Sequence, residues 1–218
     1  MHTDHKPAGQ PQFPPHTPHL KTPRAVDKEN FRSLVSTVAI LLIAPVIAIL
    51  LTAFVFQSYQ VDGPSMRTTL FNNDRLIVWK LPRTFAKITG HDYVPNRGDI
   101  IVFTEERLSE FGQDPGKQLI KRVIGLPGER VVVHANVVTV YNAAHPNGFN
   151  PDTTLPYQRT AADTAGEIDI TVPAHEVYVL GDNRLNSLDS RSFGPVATKN
   201  IVGKLAMRVL PLGDMKIF

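Results

Sequence analysis

The sequence predicts a mostly antiparallel all-β domain preceded by one apolar helix long enough to cross a membrane. No charged residue occurs between Ser33 and Val61. After this stretch, short runs rich in Val and Ile alternate with Gly, Pro, Asn or Asp, a pattern typical of strands and turns. Long helical periodicity is scarce there, and 218 residues with 42% hydrophobic content allow one domain plus appendages.

The N-terminal segment has the composition of a tail. Residues 1–24 are rich in Pro, His, Gln and Thr, and have too few apolar side chains to offset the entropy lost on ordering. We therefore expect a disordered cytoplasmic tail, which extends to residue 32 where the apolar stretch begins. Four of the eight histidines lie here, and a solvated tail explains them more simply than a metal site does: His2, His5, His16 and His19.

The apolar stretch predicts a transmembrane helix over residues 33–57. Its core, Leu34–Phe56, has 23 residues, and about 20 suffice to span a bilayer. Membrane helices tolerate a kinking proline such as Pro45. A buried core helix is the alternative, whereas a removed signal peptide would have a shorter apolar core and a shorter leader.

The distribution of basic residues predicts the orientation. Five precede the span and none lies between Gln57 and Met66: Lys6, Lys21, Arg24, Lys28 and Arg32. The positive-inside rule places the N-terminus in the cytoplasm and residues 58–218 outside it, as a single-pass protein of the cell membrane.

Seven segments of this extracytoplasmic domain are expected to form strands. They are residues 75–81, 99–103, 118–126, 129–141, 167–172, 176–180 and 203–210. Residues 142–166 are rich in turn formers and weakly apolar, so we expect a loop or insertion there.

Several classes of function are disfavoured. The net charge is +3 and the basic residues are dispersed, so nothing indicates nucleic acid as a partner. The chain has no cysteine, which excludes a thiol nucleophile and thiolate zinc sites. The histidines outside the tail lack metal-ligand spacing, and we expect no metal or organic cofactor. A Ser-His-Asp triad stays open, since its members can lie anywhere in a sequence.

A serine and a lysine are the main candidates for catalysis. Ser65 lies in VDGPSMRTTL, a few residues after the apolar stretch. A serine can be activated by a lysine, provided that desolvation lowers the lysine pKa. In a strand over QLIKRVIGL, Leu119, Lys121 and Val123 share one face, which would surround the amine with aliphatic groups. A lysine that snorkels to solvent is the alternative.

The third polar segment is GDNRLNSLDSR, residues 181–191, which follows the apolar run EVYVL. It concentrates Asp, Asn, Arg and Ser in a tight turn. An ordinary surface loop with an Asp189–Arg191 ion pair would have the same composition.

Taken together, four motifs resemble the type I signal peptidases, which are membrane-anchored serine endopeptidases with a serine–lysine dyad. The motifs are SMRTTL (65–70), RGDIIVF (97–103), KRVIGLPGE (121–129) and GDNRLNSLDSR (181–191). Their order and the single N-terminal span also match. The resemblance covers residues 33 to about 210 and implies the family's antiparallel β core, with a small β-rich insertion at about residues 130–173.

The resemblance also implies roles for individual residues. Ser65 would be the nucleophile and Lys121 the general base. Ser187 would hydrogen-bond Lys121 and orient it, and Asp189 and Arg191 would pair and hold the loop. The backbone N–H of Ser65 would donate to the oxyanion.

Two positions depart from the family pattern. Thr68 stands where proline is usual, which could loosen the turn after the nucleophile. Gly63 stands where some relatives have a serine that completes the oxyanion hole, although the glycine form also occurs in the family.

The implied substrates are preproteins emerging from the export machinery, which are cut after small residues in an A-x-A pattern. Only eight residues separate Phe56 from Ser65. They reach roughly 30 Å at most, so the serine should lie near the membrane lipid. Shallow apolar pockets would admit the alanine side chains of the substrate and exclude larger ones. Met66 is the residue that we expect to line these pockets.

Two other functions stay open. One is a specialised relative that processes a dedicated secreted or pilin-like partner. The other is a non-catalytic, membrane-anchored binding domain of the same fold. Self-cleaving repressors also use a serine–lysine dyad, but they need a DNA-binding helix-turn-helix where this chain has a membrane span.

Overall fold

The N-terminal helix is longer than the sequence predicts. The computed structural model describes residues 23–114, 116–157 and 163–218, and its helix α1 covers Pro23–Leu50 with Pro45 inside it. The helix starts ten residues before the predicted boundary, so residues 23–32, expected in the tail, are helical. The tail prediction for residues 1–22 lies outside the described residues.

The apolar segment is suited by length and composition to cross a membrane. A short π-helix, Leu51–Val55, continues α1, and the candidate span runs over Asn30–Val55. Its apolar side chains are exposed, as expected of a helix whose neighbours are lipids. Contacts divide the chain into two units, Met1–Ile47 and Ala48–Phe218.

The described residues of the second unit form twelve strands, which confirms the antiparallel all-β prediction. They are β1 Phe56–Gln60, β2 Arg75–Trp79, β3 Ile100–Thr104, β4 Gln118–Gly125, β5 Arg130–His134, β6 Val137–Asn142, β7 His145–Phe149, β8 Ile168–Thr171, β9 Glu176–Leu180, β10 Val196–Ala197, β11 Ile201–Leu210 and β12 Lys216–Ile217. The short α-helices that accompany them in the described part of this unit are α2 Leu81–Thr89, α3 Pro151–Thr154 and α4 Ser190–Phe193.

The strands form two antiparallel sheets. The larger sheet has the order β1-β2-β11-β3-β4-β9-β10, and β12 pairs with β11. The smaller sheet has the order β7-β6-β5-β8 and comes from the chain between residues 130 and 171. Strand β4, which carries Lys121, lies in the interior of the larger sheet between β3 and β9.

Two apolar clusters position the site. On one face of β4, Leu119 and Val123 pack with a core that includes Ile101 and Phe103. On the other face, Ile120 packs against a second core, around Leu76 and Met66. Burial of these aliphatic side chains is the main force that holds β3, β4 and the serine loop together.

Three segments differ from the sequence prediction. Residues 129–141, predicted as one strand, form a hairpin, because Ala135 and Asn136 adopt positive φ values of 48° and 65°. Two such residues in succession build the tight turn that joins antiparallel strands. The loop predicted over residues 142–166 contains β7 and α3. The amphipathic helix α2 was not predicted, since its nine residues are too few for a clear periodic signal.

Candidate active site

Ser65 lies half-buried in the turn between β1 and β2. The turn begins at Gly63, whose φ of 96° lies in the left-handed region that favours glycine. The N–H of Gly63 donates to Asn72 Oδ1 at 3.0 Å, and the N–H of Leu70 donates to the Met66 carbonyl at 2.9 Å. These bonds hold the serine in a defined turn.

Lys121 reaches Ser65 from the middle of the larger sheet. Its Nζ lies 2.9 Å from Ser65 Oγ and also donates to the Ile120 carbonyl at 2.9 Å. The two residues are 56 positions apart in the sequence. The structure therefore brings together the two side chains that the sequence selected as nucleophile and base.

The surroundings of Lys121 favour the neutral amine. The residue is only 2% exposed, and its same-face neighbours Leu119 and Val123 belong to an apolar core. Desolvation lowers the pKa of Lys121 from 10.5 to about 8, partly opposed by the carboxylates of Asp189 and Asp182. An amine with this pKa can accept a proton near neutral pH.

The polar segment 181–191 docks against the serine turn. The N–H of Asn183 donates to the Ser65 carbonyl at 3.0 Å, and its side-chain amide donates to the Pro64 carbonyl at 3.1 Å. Gly181 lies beneath this contact, where a Cβ atom would come 2.5 Å from the Ser65 carbonyl oxygen and 2.2 Å from Ser187 Oγ. Only glycine fits this approach without displacing the serine turn.

Asp189 and Arg191 form an ion pair, and its environment differs from that of a surface loop. The Arg191 Nε lies 2.9 Å from Asp189 Oδ1, and the carboxylate is fully buried. The other Asp189 oxygen accepts from the Gly181 N–H at 3.0 Å, while Arg191 also donates to the Arg184 carbonyl at 2.7 Å. The pair thus ties the two ends of the segment together.

Ser187 does not make the predicted hydrogen bond to Lys121. Its hydroxyl is buried, and it has no hydrogen-bond partner among the described residues. The hydroxyl is nevertheless close to Gly181, directly beside the dyad.

Met66 does not line the substrate cleft, although the sequence analysis predicted that it would. Its side chain is 1% exposed and packs with Val61, Leu70 and Leu76. A cleft of about 340 Å³ opens beside Ser65 and Lys121, and Met66 is not among its lining residues. A methionine on the inner side of the turn packs into the core, so its role is to support the turn.

The cleft is lined mainly by apolar side chains. Pro64 and Ile120 directly precede the two dyad residues, and the lining also includes Leu76, Val102, Leu119 and Leu188. Tyr59, from β1, lines the cleft too, and its hydroxyl is buried without a hydrogen-bond partner among the described residues. Burial raises the pKa of Tyr59, and the nearby Gln118 side chain opposes this shift, although the two side chains do not have hydrogen-bond geometry.

Sequence reasoning missed a buried network on the opposite face of β4. The Arg122 guanidinium donates to both oxygens of Asp182, at 2.8 and 2.7 Å. The Thr69 hydroxyl donates to the same carboxylate at 2.5 Å, which ties the serine turn to the polar segment. Arg122 directly follows Lys121, and this charged residue beside the predicted base was the feature of the sequence that could have indicated the network.

A second buried ion pair links the polar segment to the smaller-sheet region of the chain. Arg184 and Asp152 are almost completely buried, with Nη1 and Oδ2 2.5 Å apart. Arg184 also donates to the Gly181 carbonyl at 2.9 Å. Breaking one partner of such a pair costs about 3–5 kcal/mol, because the other charge stays buried.

The histidines offer no second base. The four outside the tail are exposed, and none of them lines the cleft in the part of the chain that the structure describes: His91, His134, His145 and His175. A base that must reach Ser65 Oγ needs hydrogen-bond distance, which Lys121 has. The fold and this pairing of a buried lysine with a serine are those of a serine–lysine peptidase, and an apolar helix precedes the domain that carries them.

Comparison with known proteins assigns the family. The family described as signal peptidase, peptidase S26, matches residues 34–210. The chain is 34% identical to signal peptidase I P of Bacillus subtilis subsp. natto over 87% of this chain and 96% of the relative. It is 36% identical to probable signal peptidase I-1 of Synechocystis, over 80% of this chain and 81% of the relative. Identity with signal peptidase I of Leptolyngbya laminosa is 35%, over 94% of this chain and 91% of the relative.

The chain therefore belongs to the signal peptidase family, as the four motifs predicted. It is a serine endopeptidase, and cleavage of signal peptides is the activity of the family.

Proposed function

We propose that Ser65 is the nucleophile and Lys121 the general base that remove signal peptides from preproteins. The observation that carries this proposal is the 2.9 Å contact between Ser65 Oγ and the buried Lys121 Nζ. A purely structural lysine gains nothing from burial beside a serine hydroxyl, because desolvation of its charge is costly. A non-catalytic binding domain gives no reason for this arrangement.

The chemistry follows from the geometry. The neutral Lys121 amine accepts the Ser65 proton as Oγ attacks the carbonyl carbon of the scissile bond. The resulting ammonium returns that proton to the leaving amine when the C–N bond breaks, which leaves an ester on Ser65. A water molecule then attacks the ester, and Lys121 accepts the proton that this water loses. Lys121 returns the proton to Ser65 Oγ when the ester bond breaks.

Two further parts of the site support this reaction. The backbone N–H of Ser65 is the proposed hydrogen-bond donor to the oxyanion. Gly63 has no side-chain hydroxyl, so it supplies no second donor. The Asp189–Arg191 pair and the Asp182–Arg122 pair fix the segment that carries Asn183 against the Ser65 carbonyl. Rigid support of this kind matters because misplacement of a nucleophile by about 1 Å can cost about 10²-fold in rate.

The cleft supports a preference for small side chains before the cleaved bond. Its volume of about 340 Å³ is shared by the several substrate residues that must lie beside the dyad, so each pocket is small. Aliphatic side chains next to the dyad line part of it, as expected for a site that binds alanine. The lining named above replaces Met66 as the basis of specificity.

We further propose the topology that the basic residues predict, with the N-terminus in the cytoplasm and residues 58–218 outside. Preproteins that emerge from the export machinery are then the partners, and membrane lipid surrounds the helix. The candidate span Asn30–Val55, whose only charged residue Arg32 lies near its N-terminal end, supports this arrangement.

The decisive experiment is cleavage of a preprotein with an A-x-A signal peptide by the full-length protein in liposomes. Ser65→Ala and Lys121→Ala should be folded and inactive. Ser192→Ala and Lys199→Ala make the same exchanges at exposed positions and should stay active. Circular dichroism would establish that the inactive variants are folded.

Each outcome has a distinct meaning. Full activity in Lys121→Ala would require another base and would refute the dyad. A wild-type protein that never cuts an A-x-A substrate would refute the substrate class and favour a specialised peptidase with a dedicated partner. Mass spectrometry of the products would locate the cleaved bond.

A further inference from the structure

Residues 211–218, the return segment, follow the long strand β11 and lie outside residues 34–210 that match the family. The return segment reverses direction and forms β12, which pairs with β11 in antiparallel fashion. The N–H of Phe218 donates to the Ala206 carbonyl at 3.0 Å, so the attachment to β11 extends to residue 218. The return segment is therefore an ordered part of the larger sheet.

The side chain of Phe218 reaches the apolar core beside the dyad. It packs against the cluster that contains Met66, which directly follows Ser65 in the chain. Ile120, which directly precedes Lys121, packs against the same cluster. The return segment thus contributes to the core that supports the chain neighbours of both dyad residues.

A buried arginine makes a second connection between the return segment and the serine turn. Arg208 is 9% exposed, and its Nε donates to the Asp214 carbonyl at 2.8 Å. Its Nη1 donates to Asp74 Oδ2 at 3.1 Å and to the Thr69 carbonyl at 3.4 Å. The same Asp74 oxygen accepts from the Phe71 N–H at 2.9 Å. One guanidinium therefore joins the return segment to the second half of the serine turn.

A cavity of about 470 Å³ lies between the return segment and the serine turn. Its lining includes Thr68 and Thr69 from the turn and the last three residues of the return segment. Arg208 and Phe218 both line it. Because described side chains leave this space open, the turn is held here by these two residues rather than by continuous packing. A change at either residue should therefore affect the position of Ser65.

We propose that Arg208 and Phe218 are positioning residues that hold Ser65 at hydrogen-bond distance from Lys121. The inference rests on the proposed function, in which those two side chains react. Neither of the described side chains Arg208 and Phe218 lines the cleft beside the dyad, so they act through the serine turn and not on the substrate. Loss of either contact should lower kcat and leave KM unchanged, because the nucleophile moves while the substrate contacts stay.

The test is steady-state cleavage of a soluble peptide with an A-x-A site by the full-length protein in detergent. Arg208→Met removes the guanidinium partner of the buried Asp74 carboxylate. Arg107→Met is the matched control, because it removes the guanidinium partner of another buried carboxylate, Glu105. Arg107 also donates to the Pro195 carbonyl, which belongs to a different part of the sheet.

Phe218→Ala has a control of its own. Phe149→Ala removes a half-buried phenylalanine that packs against a different apolar core, which includes Val131 of the smaller sheet. Arg208→Lys and Phe218→Leu are the conservative variants. Lysine can still donate one hydrogen bond at position 208, and leucine can fill part of the space of the ring.

Arg208→Met and Phe218→Ala should each lower kcat by about 10-fold, less than the roughly 10²-fold cost of a full 1 Å misplacement. The conservative variants should give intermediate values of kcat. The two control variants should lose comparable stability in urea and keep the wild-type kcat. Hydrogen exchange followed by mass spectrometry should be faster over the serine turn in Arg208→Met and Phe218→Ala alone, because the N–H of Leu70 there loses protection.

Wild-type kcat in folded Arg208→Met and Phe218→Ala would overturn the inference. An equal loss of kcat in the control variants would overturn it too, since stability alone would then explain the effect. Should Arg208→Met not fold, wild-type kcat in both Arg208→Lys and Phe218→Ala is the refuting result.

Ser65→Ala keeps the positioning inference distinct from the proposed function. If Ser65→Ala cleaves the peptide, the dyad is refuted. If Ser65→Ala is inactive while the variants at Arg208 and Phe218 keep full kcat, the dyad stands and the positioning inference alone fails.

Discussion

Replacing Lys121 with methionine should stabilise the folded protein, and the gain should depend on pH. The unfolded chain carries a lysine with an ordinary pKa of 10.5, whereas burial lowers the pKa to about 8 in the folded protein. Between these values the unfolded state binds more protons, so the free energy of unfolding of the wild type rises with pH across this window. Below pH 8 the folded protein bears the full penalty of a buried charge.

The magnitude follows from the lowered pKa. A difference of one pKa unit corresponds to about 1.36 kcal/mol, so the penalty in the wild type is about 3 kcal/mol at pH 7 and about 1 kcal/mol at pH 10. The stability gap between Lys121→Met and wild type should therefore shrink by about 2 kcal/mol from pH 7 to pH 10. Any difference in packing between the two side chains is independent of pH and cancels in this comparison.

The assay is urea unfolding of the full-length proteins in mild detergent, followed by the fluorescence of Trp79. This residue is the single tryptophan and lies in β2 of the larger sheet, so its signal reports the catalytic domain. Lys199→Met makes the same exchange at an exposed position. A gap that stays constant between pH 7 and pH 10, or that changes equally in the Lys199 variant, would refute the reasoning.

Three further predictions concern the site. The kcat/KM for peptide cleavage should rise with pH around the Lys121 pKa of about 8, and a rate at pH 7 equal to the plateau, rather than about a tenth of it, would contradict a lysine base. Gly181→Ala should lower kcat by about 10²-fold, because its Cβ would push against the Ser65 carbonyl oxygen; wild-type kcat in a folded variant would show that the contact is unimportant. Tyr59→Phe and Tyr178→Phe each remove a buried hydroxyl without a described partner, and each should raise the free energy of unfolding by about 1 kcal/mol. Tyr59 lines the cleft and Tyr178 does not. Only Tyr59→Phe should therefore change the preference for serine over alanine before the cleaved bond, measured as the ratio of the two kcat/KM values. An equal change in both variants would exclude a contact between Tyr59 and the substrate.

Local sequence patterns were sufficient for the elements with strong periodicity. The strand over residues 118–126 was predicted from its β-branched residues and the turn residues that bound it, and the placement of Lys121 between Leu119 and Val123 followed from strand alternation; both are present. The hairpin within residues 129–141 was missed because its turn, Ala135-Asn136, lacks the glycine that usually marks such a turn.

Helix boundaries and short helices depend on contacts that a local pattern does not show. The charged residues before the span do not prevent α1 from starting at Pro23, since a helix can extend beyond the apolar segment. Helix α2 has one apolar face and three hydrogen bonds that join it or the adjacent Lys80 to the end of the span. Those bonds are tertiary, so nine residues of sequence could not predict them.

For this protein, the sequence by itself determined which side chains could react, the apolar span and the family, because residue types in ordered motifs carry this information locally. The tertiary structure alone decided that Lys121 meets Ser65 across 56 residues, that Met66 faces the core, and that Ser187 lacks a described partner. These facts depend on strand register and on which face of a turn is buried. Both are set by the packing of distant segments against one another.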